Sequence, residues 1–344
     1  MRSYLRSCFT SLAFVLGLHT AVQAEPIVFL NHPDAVATQA RSINNAGQIA
    51  GSFLDNNGRF HGFLLDRVGG TFTTISVAGA ANTFIFGLNN NGQMVGTFGD
   101  SLSGATRGFL LNGIGGSAIP FDVPGAFSTQ AFGINDHGQI VGGFATTTGG
   151  DRVSGFLLDG IGGSFTTFDI PGSVNFTSAT AINNAGQIVG AFGELDLGLG
   201  GGLPLSSQAF LLNSVDGPHI VIGVETSPGV PAPITIALGI NNLGDIVGFY
   251  DTDASAGDDT SIHGFLRFGD TGDPISFDVP GGFGTVISGI NDAGFFVGAF
   301  GGSTVGFVAE PVPEPSSLVL GAIGFVSVLG YVRRRLQNPH HPKR

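Results

Sequence analysis

Asp251, Asp253 and Asp258 lie in the stretch Asp251-Thr252-Asp253-Ala254-Ser255-Ala256-Gly257-Asp258-Asp259, whose alternating oxygen donors suit a hard cation such as calcium. The stretch departs from the EF-hand pattern, since Gly257 stands one position late and Ile262 replaces the bidentate glutamate. A solvated acidic loop accounts for the same residues. Calcium is therefore a candidate ligand at Asp251, Asp253 and Asp258, and no other metal or cofactor is expected.

His61 and His263 hold equivalent places at the start of short apolar segments, where other copies of the same segment carry Arg107, Ser154, Gln208 and Val305. Such a row could face a common surface or a channel, or it could be variation at solvated strand ends. No other set of acid, base and nucleophile stands out, and the polar residues recur as turn formers. The expectation is a protein without catalytic residues.

The elements that carry these residues are set by a repeat. The core Ile43-Asn44-Asn45-Ala46-Gly47-Gln48-Ile49-Ala50-Gly51-Ser52-Phe53 returns at Leu88, Ile134, Ile182, Ile240 and Ile290. Each copy runs from an apolar residue through Asn, Asn or Asp, a variable position and Gly into a second apolar segment. Asn and Gly tolerate the left-handed backbone of tight hairpin turns, so each copy reads as a β-hairpin. Third segments such as His61–Leu65 and fourth segments such as Ser164–Gly172 follow, the latter ended by Pro-Gly. Four short strands per repeat, without a convincing helix, predict an all-β fold with six four-stranded repeats arranged as a β-propeller. Ile27–Asn31 precedes the first hairpin and the sixth repeat lacks a fourth strand, so the N-terminal strand is expected to complete the last blade and close the ring. Insertions at Glu194–Leu205 and Val215–Pro233 lengthen the fourth repeat and are expected at a blade rim.

The ends read as addresses. Arg2 and Arg6, the apolar stretch Phe9–Leu18 and the small residues ahead of Glu25 form a secretory signal peptide over residues 1–24, to be cut by signal peptidase between Ala24 and Glu25. The only cysteine, Cys8, lies ahead of the apolar core, so no disulfide or thiolate site is expected in the exported domain, residues 25–310. Over 311–344, Pro313-Glu314-Pro315 leads into an apolar run at 317–332 and then Arg333, Arg334 and Arg335. The run is shorter than the ~20 residues a membrane helix usually takes, but arginines can snorkel to the head-group layer and hold the basic end in the cytoplasm.

This order of motif, short helix and arginine cluster resembles the PEP-CTERM tail of bacterial surface proteins. The resemblance implies recognition by exosortase, transient residence in the inner membrane, and release to the cell surface or an extracellular, often polysaccharide-rich, biofilm matrix. Residues 336–344 make a longer end than such tails commonly have. The repeats resemble the HAF family of predicted extracellular repeats across most of Pro26–Val308. Gln208-Ala209-Phe210 keeps that family's Ala before Phe, and His61 and His263 keep its leading histidine. This second likeness implies architecture and export rather than a reaction.

Composition narrows the partners. Residues 25–310 carry 24 acidic side chains against six arginines and no lysine, which makes nucleic acid an unsuitable partner. The expectation is an exported surface or matrix protein that binds exopolysaccharide or surface proteins. The alternative is a propeller enzyme acting on extracellular glycans, against which stand the absence of Trp and the presence of only three Tyr.

Overall fold

A computed structural model describes residues 27–99, 105–147, 152–195, 204–253, 259–269, 271–302 and 304–310. The chain opens with β1 (Ile27–Leu30). Unit 1 follows with β2 (Ala35–Ile43), β3 (Ile49–Asp55), β4 (Phe60–Leu65) and β5 (Phe72–Ile75). Unit 2 holds β6 (Asn82–Leu88), β7 (Gln93–Gly99), β8 (Thr106–Asn112) and β9 (Ile119–Phe121). Unit 3 holds β10 (Ser128–Ile134), β11 (Ile140–Ala145), β12 (Val153–Leu158) and β13 (Phe165–Phe168). Unit 4 holds β14 (Phe176–Ile182), β15 (Ile188–Leu195), β16 (Pro204–Leu212) and β17 (His219–Ile222). A small exposed hairpin, β18 (Glu225–Ser227) and β19 (Val230–Pro231), lies within the expected insertion. Unit 5 holds β20 (Ile234–Ile240), β21 (Ile246–Asp251), β22 (Ile262–Arg267) and β23 (Ile275–Phe277). Unit 6 has β24 (Val286–Ile290), β25 (Phe296–Phe300) and β26 (Val305–Ala309). Apart from a 3-10 turn at Asp259–Ser261, the described residues contain no helix.

Within each unit the strands pair antiparallel in chain order, and β1 supplies the missing fourth strand of unit 6. Its register on β26 runs from Ile27 opposite Ala309 to Leu30 opposite Gly306. Single parallel contacts, Val153 with Phe176 and Ser207 with Ile234, join units 3, 4 and 5 into one twelve-stranded sheet. No continuous sheet runs through all six units.

The second strands explain why the sequence is so apolar. Ile49–Phe53 is buried at every position because both faces of the unit are covered. On one face Ile49, Phe53, Phe63 and Leu65 pack with Val297 and Val308 of unit 6; on the other Ala50 and Leu64 pack with Ile85, Leu88 and Met94 of unit 2. The described core consists of six such clusters, each lying between two units, the junction of unit 6 with unit 1 included. A unit alone would leave both faces wet, so the units stabilise one another rather than folding as separate beads.

The recurrent glycine of the second strands has a packing cause. Gly51, Gly96, Gly142, Gly190, Gly248 and Gly298 of the second strands sit opposite Phe63, Phe109, Phe156, Phe210, Phe265 and Phe307 of the third. All six phenylalanines are fully buried, each contributing roughly 1.5–3 kcal/mol. The rings lie where a glycine side chain would be: a Cβ on Gly142 would fall 1.9 Å from the Gln130 carbonyl oxygen and 2.7 Å from the Phe156 ring. Gly142→Ala is therefore expected to cost about 2–4 kcal/mol, read as a lower urea midpoint by circular dichroism, because a backbone atom must move.

Candidate functional site

The first strands of all six units surround a central bore. Near its middle each first strand carries one extra residue where the register slips: Arg41, Phe86, Phe132, Thr180, Leu238 and Ser288. A β-bulge bends the strand and re-aims its extra side chain, and all six of these residues line the cavities of the bore. The neighbouring residues Ser42, Gly87, Gly133, Ala181, Gly239 and Gly289 are small, which lets adjacent strands approach: a Cβ on Gly87 would fall 2.8 Å from the Phe132 carbonyl oxygen.

One mouth of the bore is built by the Asn turns. In each, the first Asn closes its own hairpin: Asn183 Oδ1 accepts from the backbone N–H groups of Ala185 (3.1 Å) and Gln187 (3.0 Å), while Nδ2 donates to Gln187 Oε1 at 2.8 Å. Gly186 completes the turn at φ 79° with open space where a Cβ would go, so backbone conformation selects glycine there.

The same Nδ2 group also donates to the next unit. Asn44 donates to the Asn89 carbonyl (3.2 Å), Asn89 to Asn135 (2.9 Å), Asn135 to Asn183 (3.1 Å), Asn183 to Asn241 (3.0 Å), Asn241 to Asn291 (3.1 Å), and Asn291 back to Asn44 (3.2 Å). All six asparagines are buried. A second series lies outside the first. The backbone N–H groups of Asn45, Asn90, Asp136, Asn184, Asn242 and Asp292 each donate to the side-chain oxygen of the next in order, at 2.7–2.9 Å, with Asp292 donating to Asn45. The Asn-Asn and Asn-Asp pairs thus do more than reverse the chain.

Two of the outer positions are acidic. Asp136 Oδ2 accepts from Nδ2 of Asn90 (2.8 Å) and of Asn184 (2.7 Å), and Asp292 Oδ2 from Nδ2 of Asn45 (2.7 Å) and of Asn242 (2.9 Å). Burial raises the Asp136 pKa, but the hydrogen bonds from Asn184 and Asn90 together outweigh it and hold the carboxyl below its ordinary value. The carboxylates at this mouth are therefore engaged as acceptors.

Neither cavity is lined by a third strand, so the row from His61 to Val305 does not face the bore. Three of its members bond within their units: His61 to Ser76 Oγ (2.9 Å) and Asp55 Oδ2 (3.2 Å), Arg107 to Asp122 (2.7 Å), and His263 to Asp278 (2.9 Å). In the acidic stretch, the Asp253 N–H donates to Asp251 Oδ1 at 2.9 Å, and Asp258 lies outside the described residues. Among the described residues no three His, Cys, Asp or Glu gather as a metal site. The cleavage position Ala24–Glu25 and the whole of 311–344 also lie outside them, including Pro313, Glu314, Pro315, Arg333, Arg334 and Arg335. No helix among the described residues is long and apolar enough to cross a membrane.

His32 sits at the seam between β1 and β2, buried and stacked on Phe53 at 3.7 Å. Its Nδ1 accepts from the Asp34 N–H (3.2 Å), and Nε2 lies 3.3 Å from Thr74 Oγ1. Desolvation lowers its pKa below the usual 6.5, against an opposing pull from Asp34. The unfolded chain thus binds this proton first as pH falls, and the stability due to a neutral His32 declines below about 6.5, its loss complete beneath the depressed folded value. Thermal melts at pH 7.5 and 5.5 should show a larger drop for the wild type than for His32→Asn; equal drops would assign the acid sensitivity elsewhere.

These features define an all-β repeat protein of propeller-like architecture with a polar mouth and a partly apolar bore. Residues 311–335 match the PEP-CTERM protein-sorting motif. A protein of unknown function from Dyadobacter fermentans DSM 18053 is similar in structure, with a TM-score of 0.51 at 13% identity over 85% of this chain and 100% of that one. The β-propeller domain of the Trilobed protease from Pyrococcus furiosus, described as having an open velcro topology, aligns with a TM-score of 0.44 at 10% identity over 77% of this chain and 78% of that one. TolB from Acinetobacter baumannii gives 0.44 at 13% identity over 72% and 56%. The latter two are too distant to bear on function. No curated protein matches the chain.

Proposed function

We propose that this chain is an exported, noncatalytic surface or matrix protein, delivered by exosortase through its tail. The observation that carries this reading is the sorting motif at 311–335 behind a repeat domain whose described residues form strands and turns. In this reading residues 1–24 direct secretion, signal peptidase cuts before Glu25, the apolar run 317–332 holds the chain transiently in the inner membrane, and cleavage near Pro313-Glu314-Pro315 releases it.

The repeat domain is a six-bladed propeller closed by β1, built from HAF-like repeats. Support comes from the β1–β26 pairing and from the two hydrogen-bond series that return from Asn291 and Asp292 to unit 1. A rigid ring of this kind presents loops to exopolysaccharide or to other surface proteins. The noncatalytic assignment is supported by the engagement of Asp136 and Asp292 with asparagine amides, which leaves them placed as structural acceptors.

Intact-mass analysis of the protein from host cells with and without active exosortase tests the delivery route. Loss of the tail only when exosortase is active is the expected result; an intact, membrane-held tail in both strains would make the protein a permanent membrane resident. Saturable polysaccharide binding without depolymerisation is expected in a glycan screen, and turnover would overturn the noncatalytic assignment.

A further inference from the structure

The bore contains a cation that nothing in the sorting role uses. Arg41, an extra residue at the β2 bulge, places its guanidinium carbon 5.7 Å from the centre of the Phe86 ring. Its Nη2 donates to Gln39 Oε1 at 2.5 Å, while Nε is buried with no partner. No carboxylate among the described residues forms an ion pair with it. Enclosure strips water from the guanidinium and lowers its pKa to about 10, so it remains charged at neutral pH.

A cavity of 180 Å³ opens beside this group. Phe86, Phe132, Phe176, Ile236 and Leu238 form its apolar wall, and its lining contains no acidic side chain. Asp136 and Asp292 belong to the mouth on the other side of the bulge layer, where asparagine amides hold them. Arg41 lines the cavity with no carboxylate opposite it, and a cation held away from bulk water gains most from an anion brought to it. Aromatic and aliphatic walls around one charged donor are the usual make-up of a small-molecule site.

We propose that the bore binds a small organic carboxylate with an apolar or aromatic body, its carboxylate on Arg41 and its body against Phe86, Phe132 and Leu238. Guanidinium and carboxylate match in charge and in planar donor geometry, and an apolar body would lie against the wall that Phe132, Phe176, Ile236 and Leu238 present to the cavity. Nothing in this site requires the sorting tail to be processed, so it stands apart from the delivery route.

Calorimetric titration of the full chain, purified in mild detergent, with sodium benzoate tests the proposal. Saturable binding is expected, with benzyl alcohol and sodium sulfate each binding at least about tenfold more weakly, since one lacks the charge and the other the apolar body. Arg41→Met should weaken benzoate at least about tenfold, Arg41→Lys should keep part of the affinity, and Arg41→Met should melt no lower than the wild type because it removes a buried unpaired charge. If Arg41→Met does not fold, Phe132→Ala supplies the second reading through a weaker benzoate isotherm. No saturable benzoate binding, equal binding by Arg41→Met, or sulfate binding as tight as benzoate would overturn the proposal.

Discussion

Asn183→Ala should lower the unfolding free energy by about 3–5 kcal/mol, among the larger effects available to a single side chain in this fold. The substitution strands the N–H groups of Ala185 and Gln187 and the Gln187 side-chain oxygen, and leaves the Asn241 carbonyl with the Gly244 N–H alone, the link to unit 5 being lost. An unsatisfied buried group costs about 1–3 kcal/mol, and partial hydration at the mouth keeps the total below the simple sum. Asn183→Asp separates the two jobs of the side chain. It keeps the oxygen that closes the turn but sets an acceptor against the Asn241 carbonyl, so it loses chiefly the link between units 4 and 5. Urea titrations followed by circular dichroism should rank wild type, Asn183→Asp and Asn183→Ala in falling order. A loss of less than about 1 kcal/mol for alanine would mean that the series does not hold the units together.

Removal of residues 25–30 should have a comparable cost and a different signature. Leu30 is buried with Phe63, Val297 and Val308, and all of β1 pairs with β26. Deletion empties a leucine-sized site, worth about 2–5 kcal/mol, and bares the edge of β26 for pairing with another chain. The expected result is a lower melting temperature together with concentration-dependent association by light scattering. A synthetic peptide spanning residues 25–32 should suppress that association by replacing the strand. Conversely, Val28→Cys with Val308→Cys, at opposed positions in a domain with no other cysteine, should form a disulfide and raise the melting temperature. A deletion variant that stays monomeric and melts like the wild type would show that β1 is dispensable.

The hairpins were legible because their determinants are local. Asn, Gly and alternating apolar residues within eleven positions specify a turn and two strands, and the copies at Ile43, Leu88, Ile134, Ile182, Ile240 and Ile290 each form them. The missing strand of unit 6 was also legible, by counting strands. The role of the asparagines between units was not, because their partners lie 45–58 residues away in sequence or, for Asn291 and Asn44, 247 away. A turn-forming Asn and an Asn that also bridges two units look the same in one chain. The bore was hidden for the opposite reason. Arg41, Phe86, Phe132, Thr180, Leu238 and Ser288 share a place but no chemistry, so no repeated letter marks it.

The sequence by itself determined the all-β class, the repeat count, the strand order within each unit and the sorting motif, because strand and turn preferences act between near neighbours and an address is read as a linear segment. Tertiary structure decided which face each strand shows, that His61 and His263 bond within their units, that the paired asparagines interlock neighbouring units, and that one arginine stands uncompensated among aromatic rings. Those outcomes depend on bringing distant segments within a few ångströms, where a hydrogen bond or a buried charge acquires its energy, and no local pattern records that distance.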